Sequence, residues 1–293
     1  MTPIAKLALT DWRFEATPTQ QDTAYTALES GGVLWLPQLP FQLEPAEQRL
    51  LSPDLAAVAS AKNISLSPDG QELRGIECAE PERQLLRAMM WRFSTAARGL
   101  VSQLLPSYAG QFKPGRTSYR PVEIAGRPTS WRKDDTRLHV DSFPSSPTAG
   151  WRILRVFSNI NPQQQPRTWR LGEPFDRVAQ RFVPAMRKPL PGSSALLNAL
   201  GITKQPRTAY DHYMLGLHDG MKADMAYQRS VEHITHNFDA NTTWLVYTDQ
   251  TSHAAMQGRH ALEQTFLLPV QAMREPQRSP LRVLEGMLGR SLV

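Results

Sequence analysis

Two residue types that bind metals stand two positions apart near the middle of the chain, at His139 and Asp141. On an extended strand, residues i and i+2 point to the same face, so the imidazole and the carboxylate can reach one ion. A neutral ligand from a distant strand would complete a set of two histidines and one carboxylate. Such a set leaves metal positions open and is typical of non-haem Fe(II) oxygenases. The pattern therefore predicts oxygen chemistry at a metal.

Among the seven histidines, His253 is the best placed to supply the third ligand. It follows a predicted strand at 244–247 and precedes a turn at 257–259 and a last predicted strand at 261–268. Such a hairpin brings a late strand across from an early one. His260 lies beside the turn, and we expect it to be exposed. The predicted metal ligands, which are also the predicted catalytic residues, are His139, Asp141 and His253.

A second group of candidate ligands lies on a predicted helix. Asp211 and His218 share one helix face, His212 and Asp219 share another, and the two histidines do not face together. This spacing differs from the i, i+4 pair of a zinc hydrolase helix. A structural role or a substrate contact is the commoner interpretation, and we assign His212 to substrate contact. A hydrolase is not indicated, because the sequence has no Gly-x-Ser-x-Gly motif and Cys78 lacks the surroundings of a catalytic thiol.

The elements around these residues indicate the fold class. A helix is predicted over 82–105, β-rich sequence continues to about residue 160, helices follow between 175 and 221, and strands return afterwards. We find neither a βαβ alternation nor a glycine-rich phosphate loop. The order predicts a mainly β chain with α elements: a double-stranded β-helix, or jelly roll, with N-terminal helices and a helical insertion.

The length of 293 residues suits one domain. We predict an N-terminal α/β flank over 1–110, a double-stranded β-helix core over 111–270 with its helical insertion at about 170–225, and a C-terminal amphipathic helix over 271–293. The apolar stripe of that helix comprises Leu281, Leu284, Met287, Leu288 and Leu292. It would close the domain, mediate a dimer or lie on an anionic bilayer, and packing is the commonest of these outcomes.

The net charge of +6 and the pI of about 9.6 favour an anionic partner. Basic residues concentrate just before His139, and the candidate substrate contacts among them are Arg116, Arg120, Arg127, Arg132 and Lys133. An ordinary solvated surface is the alternative. Only Tyr119 and Trp131 are interleaved with them, so we do not expect nucleic acid as a partner.

Cysteine usage and hydropathy suggest a location. Cys78 is the single cysteine, so no intramolecular disulfide framework is expected. We recognise no secretory signal at the N-terminus and no apolar run of about 20 residues that would span a membrane. We expect the protein in the cytoplasm, either free or peripheral on the cytoplasmic face of the inner membrane.

Several segments together resemble the Kdo hydroxylase family: residues 137–145, 152–161, 210–219, and 253–256 with 262–266. Members are Fe(II)- and 2-oxoglutarate-dependent dioxygenases that act on the sugar Kdo of lipopolysaccharide. The resemblance spans roughly residues 110–270. It implies Fe(II), 2-oxoglutarate and O₂ as cofactor and co-substrates, and the anionic glycolipid Kdo-lipid A as substrate, with Kdo converted to its hydroxylated form Ko. It also implies His139, Asp141 and His253 as the iron ligands.

The residue that holds the distal carboxylate of 2-oxoglutarate is less clearly indicated. Many jelly-roll dioxygenases have an arginine about ten residues after the distal histidine, but Glu263 and Gln264 stand there. Another group uses a basic residue on the strand that follows His-x-Asp. Arg155 occupies that position and is our first candidate for a bidentate contact, with Arg259 as the second.

Two other functions remain open at this point. One is a cupin-type metal enzyme that has the same ligands but does not use 2-oxoglutarate. The other is a basic module that binds anionic lipid without a metal. The variant His139→Ala separates them, because binding should persist in the module whereas turnover should vanish in either enzyme.

Overall fold

The computed structural model describes residues 3–52, 55, 63–127 and 129–293, and its strands form two sheets. The strands are β1 (Ile4–Lys6), β2 (Val33–Leu36), β3 (Ile64–Leu66), β4 (Leu73–Arg74), β5 (Lys113–Arg120), β6 (Arg152–Asn159), β7 (Arg167–Leu171), β8 (Ile234–Phe238), β9 (Thr242–Tyr247), β10 (His253–Gln257) and β11 (Ala261–Leu268). The described helices are α1 (Pro18–Glu29), α2 (Glu80–Leu104), α3 (Phe175–Phe182), α4 (Ser193–Ala199), α5 (Ala209–Ala223), α6 (Met225–Ser230) and α7 (Pro280–Leu288).

The two sheets enclose an aromatic core. The larger has the order β1-β2-β9-β6-β11-β5-β3-β4 and the smaller the order β10-β7-β8. All described pairings are antiparallel except that of β1 with β2. Trp244 of the larger sheet stacks on Phe238 of the smaller at 4.2 Å, and Phe157 stacks on Trp244 at 5.1 Å. Two sheets that share such an interior form the jelly roll that the sequence predicts.

Helix α2 packs on the outer face of the larger sheet. Its buried side chains, among them Leu86, Phe93 and Leu100, recur at helical spacing, which is why the sequence predicts this helix to within two residues. The helix ends just before Pro106, since a proline disfavours helical geometry at the preceding residue. The helix thereby supports β5 and β11, which carry part of the site described below.

The helical insertion lies between β7 and β8 and comprises α3 to α6. Thr208 and Asp211 form a capping box that starts α5, each side chain accepting from the backbone N–H of the other. The Asp211 carboxylate also accepts from Thr148 and Ala149, 2.8 and 3.1 Å away. The insertion is therefore fixed to the loop that follows the His-x-Asp segment.

At the C-terminus, α7 turns its apolar stripe inward. Leu281, Leu284 and Leu292 are buried, whereas Met287 is 39% exposed. The Ser279 side chain caps the helix by accepting from the Arg282 N–H. Within the described ranges, no helix is both long enough and apolar enough to cross a bilayer.

Candidate metal centre and its cavity

His139, Asp141 and His253 come together, with one ligand atom from each lying within 4.8 Å of the others. They form the one such group found among the described residues. Two backbone hydrogen bonds, of 3.0 and 2.9 Å, join His139 to His253 at the start of β10. The Asp141 N–H donates to the Thr248 carbonyl, 2.7 Å away. Backbone contacts therefore fix all three positions, although His139 and Asp141 lie outside the named strands.

Both imidazoles present their Nε2 atom to the site. Nδ1 of His139 lies 2.8 Å from the Arg137 carbonyl, and Nδ1 of His253 lies 2.8 Å from the Thr251 carbonyl. A carbonyl only accepts, so each Nδ1 carries the hydrogen and each Nε2 keeps a lone pair for a metal. Burial lowers the pKa of His139; burial and the neighbouring His139 lower the pKa of His253 to about 3. Both rings are therefore neutral, as metal ligands must be.

Asp141 is held in its charged form by a chain of alternating charges. Burial alone would raise the pKa of this carboxyl, but Arg155, 2.9 Å away, and the two histidines hold it well below its usual range. Arg155 also contacts Glu263 at 3.0 Å, and Glu263 in turn accepts from Nε of Arg120 at 3.0 Å. Arg155 thus fixes the orientation of Asp141.

The metal group opens onto a cavity of about 50 Å³. Its lining residues are Arg120, Asp135, His139, Asp141, Arg155, Phe157, Arg167, Trp169, His253 and Ala255. Three buried donors of this lining have no hydrogen-bond partner in the described part of the chain: Nε of Arg155, Nε of Arg167 and Nε1 of Trp169. A buried donor without a partner costs about 1–3 kcal/mol, so such a cluster is typical of a site that receives an acceptor.

Arg167 is the cation of this cavity that has the fewest contacts with carboxylates. Its Nη1 donates to the Gly258 carbonyl at 3.2 Å. Arg167 lies on β7 and is 2% exposed. Burial and the nearby Arg120 lower its pKa to about 9, which still leaves it charged at neutral pH. A bound carboxylate would stabilise the charged guanidinium of Arg167, because it would supply a negative charge and a hydrogen-bond acceptor.

The donor set and the lining fit two ligands of different charge. Two neutral imidazole nitrogens and one carboxylate suit Fe(II) with open positions. The unpartnered donors of Arg155, Arg167 and Trp169 suit an acidic co-substrate next to that metal. This combination fits the chemistry that the sequence predicts.

Three of the predicted substrate contacts line the metal cavity or a neighbouring one. Arg120 lines the metal cavity, and Arg127 and Lys133 line a neighbouring cavity of about 170 Å³. Asp135 lines both cavities, so they adjoin. Arg116 is directed elsewhere, toward the carbonyl of Ser65 at 3.1 Å.

The remaining predicted contacts are engaged outside both cavities. Arg132 lies over the Trp131 ring and pairs with Asp219 at 3.1 Å. Nε2 of His212 contacts the Arg187 carbonyl at 2.9 Å, so this residue ties α5 to the preceding segment. The roles of Arg132 and His212 as substrate contacts stay predictions.

At the β10–β11 turn the expected exposure of His260 is wrong, and Arg259 as a co-substrate contact stays a prediction. Arg259 donates to Gln163 at 3.2 Å and does not line the metal cavity. His260, expected to be exposed, is 1% exposed, and its Nδ1 lies 2.8 Å from the Tyr119 hydroxyl. The reason is its left-handed backbone, with φ of +58°, which allows a tight turn with the ring directed inward.

Sequence reasoning missed the contribution of β7. Arg167 and Trp169 alternate along this strand and both point to the metal cavity, and Trp169 stacks on His253 at 5.1 Å. The signal was the alternation after Pro166, but the strand is short. His218 of α5 also lies near the site, since its ring is 5.4 Å from that of His139.

Comparisons with known proteins agree with this geometry. The family model described as 3-deoxy-D-manno-oct-2-ulosonic acid (Kdo) hydroxylase matches residues 11–291. No curated protein sequence matches the chain. Among solved structures, the Kdo hydroxylase KdoO in complex with cobalt(II) is 48% identical, with a TM-score of 0.96; the match covers 100% of this chain and 98% of that one.

Two further structures of KdoO hold other ligands. One is its complex with alphaketoglutarate and Fe(III), and the other its complex with succinate and Fe(III). Each is 46% identical to this chain, with a TM-score of 0.95, and each match covers 100% of this chain and 98% of that one. Both are described as non-haem Fe(II) alphaketoglutarate-dependent dioxygenases.

Proposed function

The chain belongs to the Kdo hydroxylase family, and from this premise we propose that His139, Asp141 and His253 hold its iron. The enzyme is a non-haem Fe(II)- and 2-oxoglutarate-dependent dioxygenase that hydroxylates Kdo. The cupin-type and lipid-module alternatives are not favoured, because the similar Kdo hydroxylases contain iron with alphaketoglutarate or succinate. When bound, iron with 2-oxoglutarate and O₂ supplies the oxidant that replaces a sugar C–H by C–OH, with release of CO₂ and succinate.

The proposed binding site of 2-oxoglutarate is based on the buried donors that lack a hydrogen-bond partner. Arg167 is the anchor for the distal carboxylate, because it is buried, charged and has a free Nε toward the cavity. Trp169 adds a second donor from the same strand face. Arg155 remains beside the co-substrate, but its two Nη groups contact Asp141 and Glu263, so its main task is to orient the iron ligand.

The burial of the metal group limits the access of bulk water to it. Both imidazoles and the Asp141 carboxylate are largely buried, and Phe157, Trp169 and Ala255 supply the apolar part of the lining. Exclusion of water strengthens electrostatic contacts and protects a reactive oxidant from side reactions. The Nδ1 hydrogens of His139 and His253 stay with backbone carbonyls, so neither ring is placed to move a proton.

The substrate is proposed to be Kdo attached to lipid A, which the enzyme converts to Ko. Kdo bears a carboxylate and lipid A bears phosphates, which agrees with the net charge of +6. Arg127 and Lys133 border the cavity that adjoins the metal cavity, and they are the proposed contacts for the sugar carboxylate. Because this substrate is a lipid, the proposed location is the cytoplasm, with peripheral contact to the cytoplasmic face of the inner membrane.

A single reaction tests the proposal. Protein loaded anaerobically with Fe(II) is mixed with 2-oxoglutarate, O₂ and Kdo-lipid A, and both succinate and the mass of the lipid are measured. Succinate together with a gain of one oxygen atom supports the proposal, provided that His139→Ala abolishes both. Succinate without oxidised lipid contradicts the substrate, and bound iron without succinate contradicts the use of 2-oxoglutarate.

A further inference from the structure

Large apolar side chains are exposed together in one stretch of the helical insertion. Four of the eight exposed large hydrophobic residues among those described fall within it: Leu190 (76% exposed), Leu196 (60%), Leu200 (64%) and Ile202 (51%). We name residues 187–207, which contain α4, the leucine loop. A cluster of exposed apolar side chains is characteristic of an interaction site.

Two of the exposed leucines share one face of α4 and its C-terminal cap. Leu196 and Leu200 are four positions apart and lie one above the other at the solvent side of α4. Thr203, by contrast, is buried and holds the loop against the protein. The exposed leucines therefore form an apolar surface on a segment that is anchored to the protein.

The charged residues within the leucine loop have a single sign. The leucine loop contains Arg187, Lys188, Lys204 and Arg207, and no Asp or Glu occurs between Asp176 and Asp211. A loop that combines exposed leucines with cations and has no acidic residue matches an anionic bilayer, where leucines enter the interface and cations meet lipid phosphates. A second copy of the chain matches less well, because two such surfaces would bring cations face to face.

The leucine loop is attached to the loop that leads out of the metal site. Arg207 donates to the Pro144 carbonyl at 2.6 Å, the Lys204 N–H donates to the Ser145 carbonyl at 3.0 Å, and the Gln205 side chain donates to the Pro147 carbonyl at 2.6 Å. These acceptors follow Asp141 by only a few residues. Docking of the leucine loop would thus hold the metal site close to the docked surface.

We propose that the leucine loop docks the enzyme on an anionic phospholipid bilayer. This inference rests on the proposed function in so far as the substrate is a membrane lipid, and it names the surface that meets the membrane. The C-terminal helix α7 is not that surface, because its residues Leu281 and Leu284 pack inside the protein, as does Leu292 beyond its end.

The test is sedimentation of the full chain with vesicles of phosphatidylglycerol and phosphatidylethanolamine in equal parts, without Kdo. We expect binding that falls about tenfold or more in the double variant Leu196→Ser, Leu200→Ser, and about fivefold in Lys188→Ser. The control Met287→Ser also removes an exposed apolar side chain, but on α7, and should bind like the original chain. Vesicles of phosphatidylcholine alone should bind much less.

Three results would overturn the proposal: no vesicle binding by the original chain, equal binding by the leucine variant, or equal binding to neutral vesicles. A dimer in sedimentation velocity that the leucine variant dissociates, without vesicle binding, would assign the surface to a second copy instead. If the double variant fails to fold, as judged by circular dichroism, Lys188→Ser alone decides.

The proposed reaction is tested separately from membrane docking. Turnover of a water-soluble, deacylated Kdo saccharide should be unchanged in the leucine variant, since no bilayer is involved. Vesicle binding without succinate formation would contradict the reaction and leave docking intact. Succinate formation without vesicle binding would contradict docking alone.

Discussion

His139 and His253 donate a backbone hydrogen bond to each other, over 3.0 and 2.9 Å, although they come from distant parts of the chain. Residues of such an antiparallel pair lie side by side with their side chains on one face. Two of the three metal ligands are therefore placed by the backbone alone. This arrangement makes metal binding separable from folding.

Replacing His139 by alanine should remove the metal without unfolding the protein. The imidazole is lost, but the backbone bonds to His253 stay, so we expect Co(II) affinity to fall at least about 100-fold. Co(II) absorption titration and circular dichroism measure the two effects. His233→Ala is the control, since His233 contacts the Val231 carbonyl and lies outside the metal group. Unchanged Co(II) affinity in His139→Ala would contradict the assignment.

Replacing Arg155 by methionine should weaken the metal more than the co-substrate. The variant takes away the partner of Asp141 at 2.9 Å, and loss of such an orienting contact costs about 10- to 100-fold in metal affinity. Metal titration and the KM for 2-oxoglutarate separate the two roles. A raised KM with unchanged metal affinity would instead make Arg155 the carboxylate anchor that the sequence suggests.

Arg167→Met should impair the use of 2-oxoglutarate selectively. A lost charge-assisted contact of about 2–3 kcal/mol corresponds to a rise in KM of about 100-fold. Initial rates at varied 2-oxoglutarate concentration give the KM, and Co(II) titration should be unaffected. Arg259→Met is the matched control, since Arg259 lies outside the cavity. Equal effects of the two substitutions would refute the role of Arg167.

Lys133→Ala should raise the KM for the Kdo substrate and leave that for 2-oxoglutarate unchanged. Lys133 lines the neighbouring cavity but not the metal cavity, so a loss of about tenfold is expected for one ionic contact. Arg116→Ala provides the comparison, because Arg116 contacts Ser65 instead. A rise in the KM for 2-oxoglutarate would place the co-substrate in the neighbouring cavity.

His260 should make the folded protein less stable in mild acid. Burial, and secondarily Arg259, lowers its pKa from 6.5 to about 4. Between these values the unfolded chain takes up a proton that the folded chain does not, so stability is complete above pH 6.5 and decreases as the pH falls toward 4. From pH 7 to pH 5 the expected loss is about 2 kcal/mol.

The variant His260→Asn isolates this effect. Asparagine tolerates the left-handed backbone at this position and does not titrate. Urea unfolding at pH 7 and pH 5 should therefore show a smaller decrease in the free energy of unfolding than in the original chain. Equal decreases would mean that the His260 ring is protonated in both states or in neither.

The sequence was informative where a local pattern determines geometry. His139 and Asp141 share a face because of the two-residue repeat of extended backbone, and α2 is recognised from its apolar periodicity and from Pro106. Arg167 could not be assigned in this way, because its position depends on the pairing of β7 with β10 and β8, which are distant in sequence. Pairings of this kind are set by tertiary packing.

The charged contacts around Asp141 were equally inaccessible. Glu263 contacts both Arg120 and Arg155 because β11 lies between β5 and β6 in the larger sheet. The sequence shows only that an expected arginine is replaced by Glu263. Which cation meets which carboxylate follows from strand order and register, neither of which a local pattern contains.

The alternating charges around the metal cavity have a consequence for the order of binding. Three guanidinium groups, of Arg120, Arg155 and Arg167, are balanced there by three carboxylates, of Asp135, Asp141 and Glu263. The charges of these six residues cancel, and a divalent metal adds two positive charges that a dicarboxylate cancels in turn. Metal entry should therefore precede co-substrate entry, and exchange of succinate for 2-oxoglutarate should leave the charge of the site unchanged.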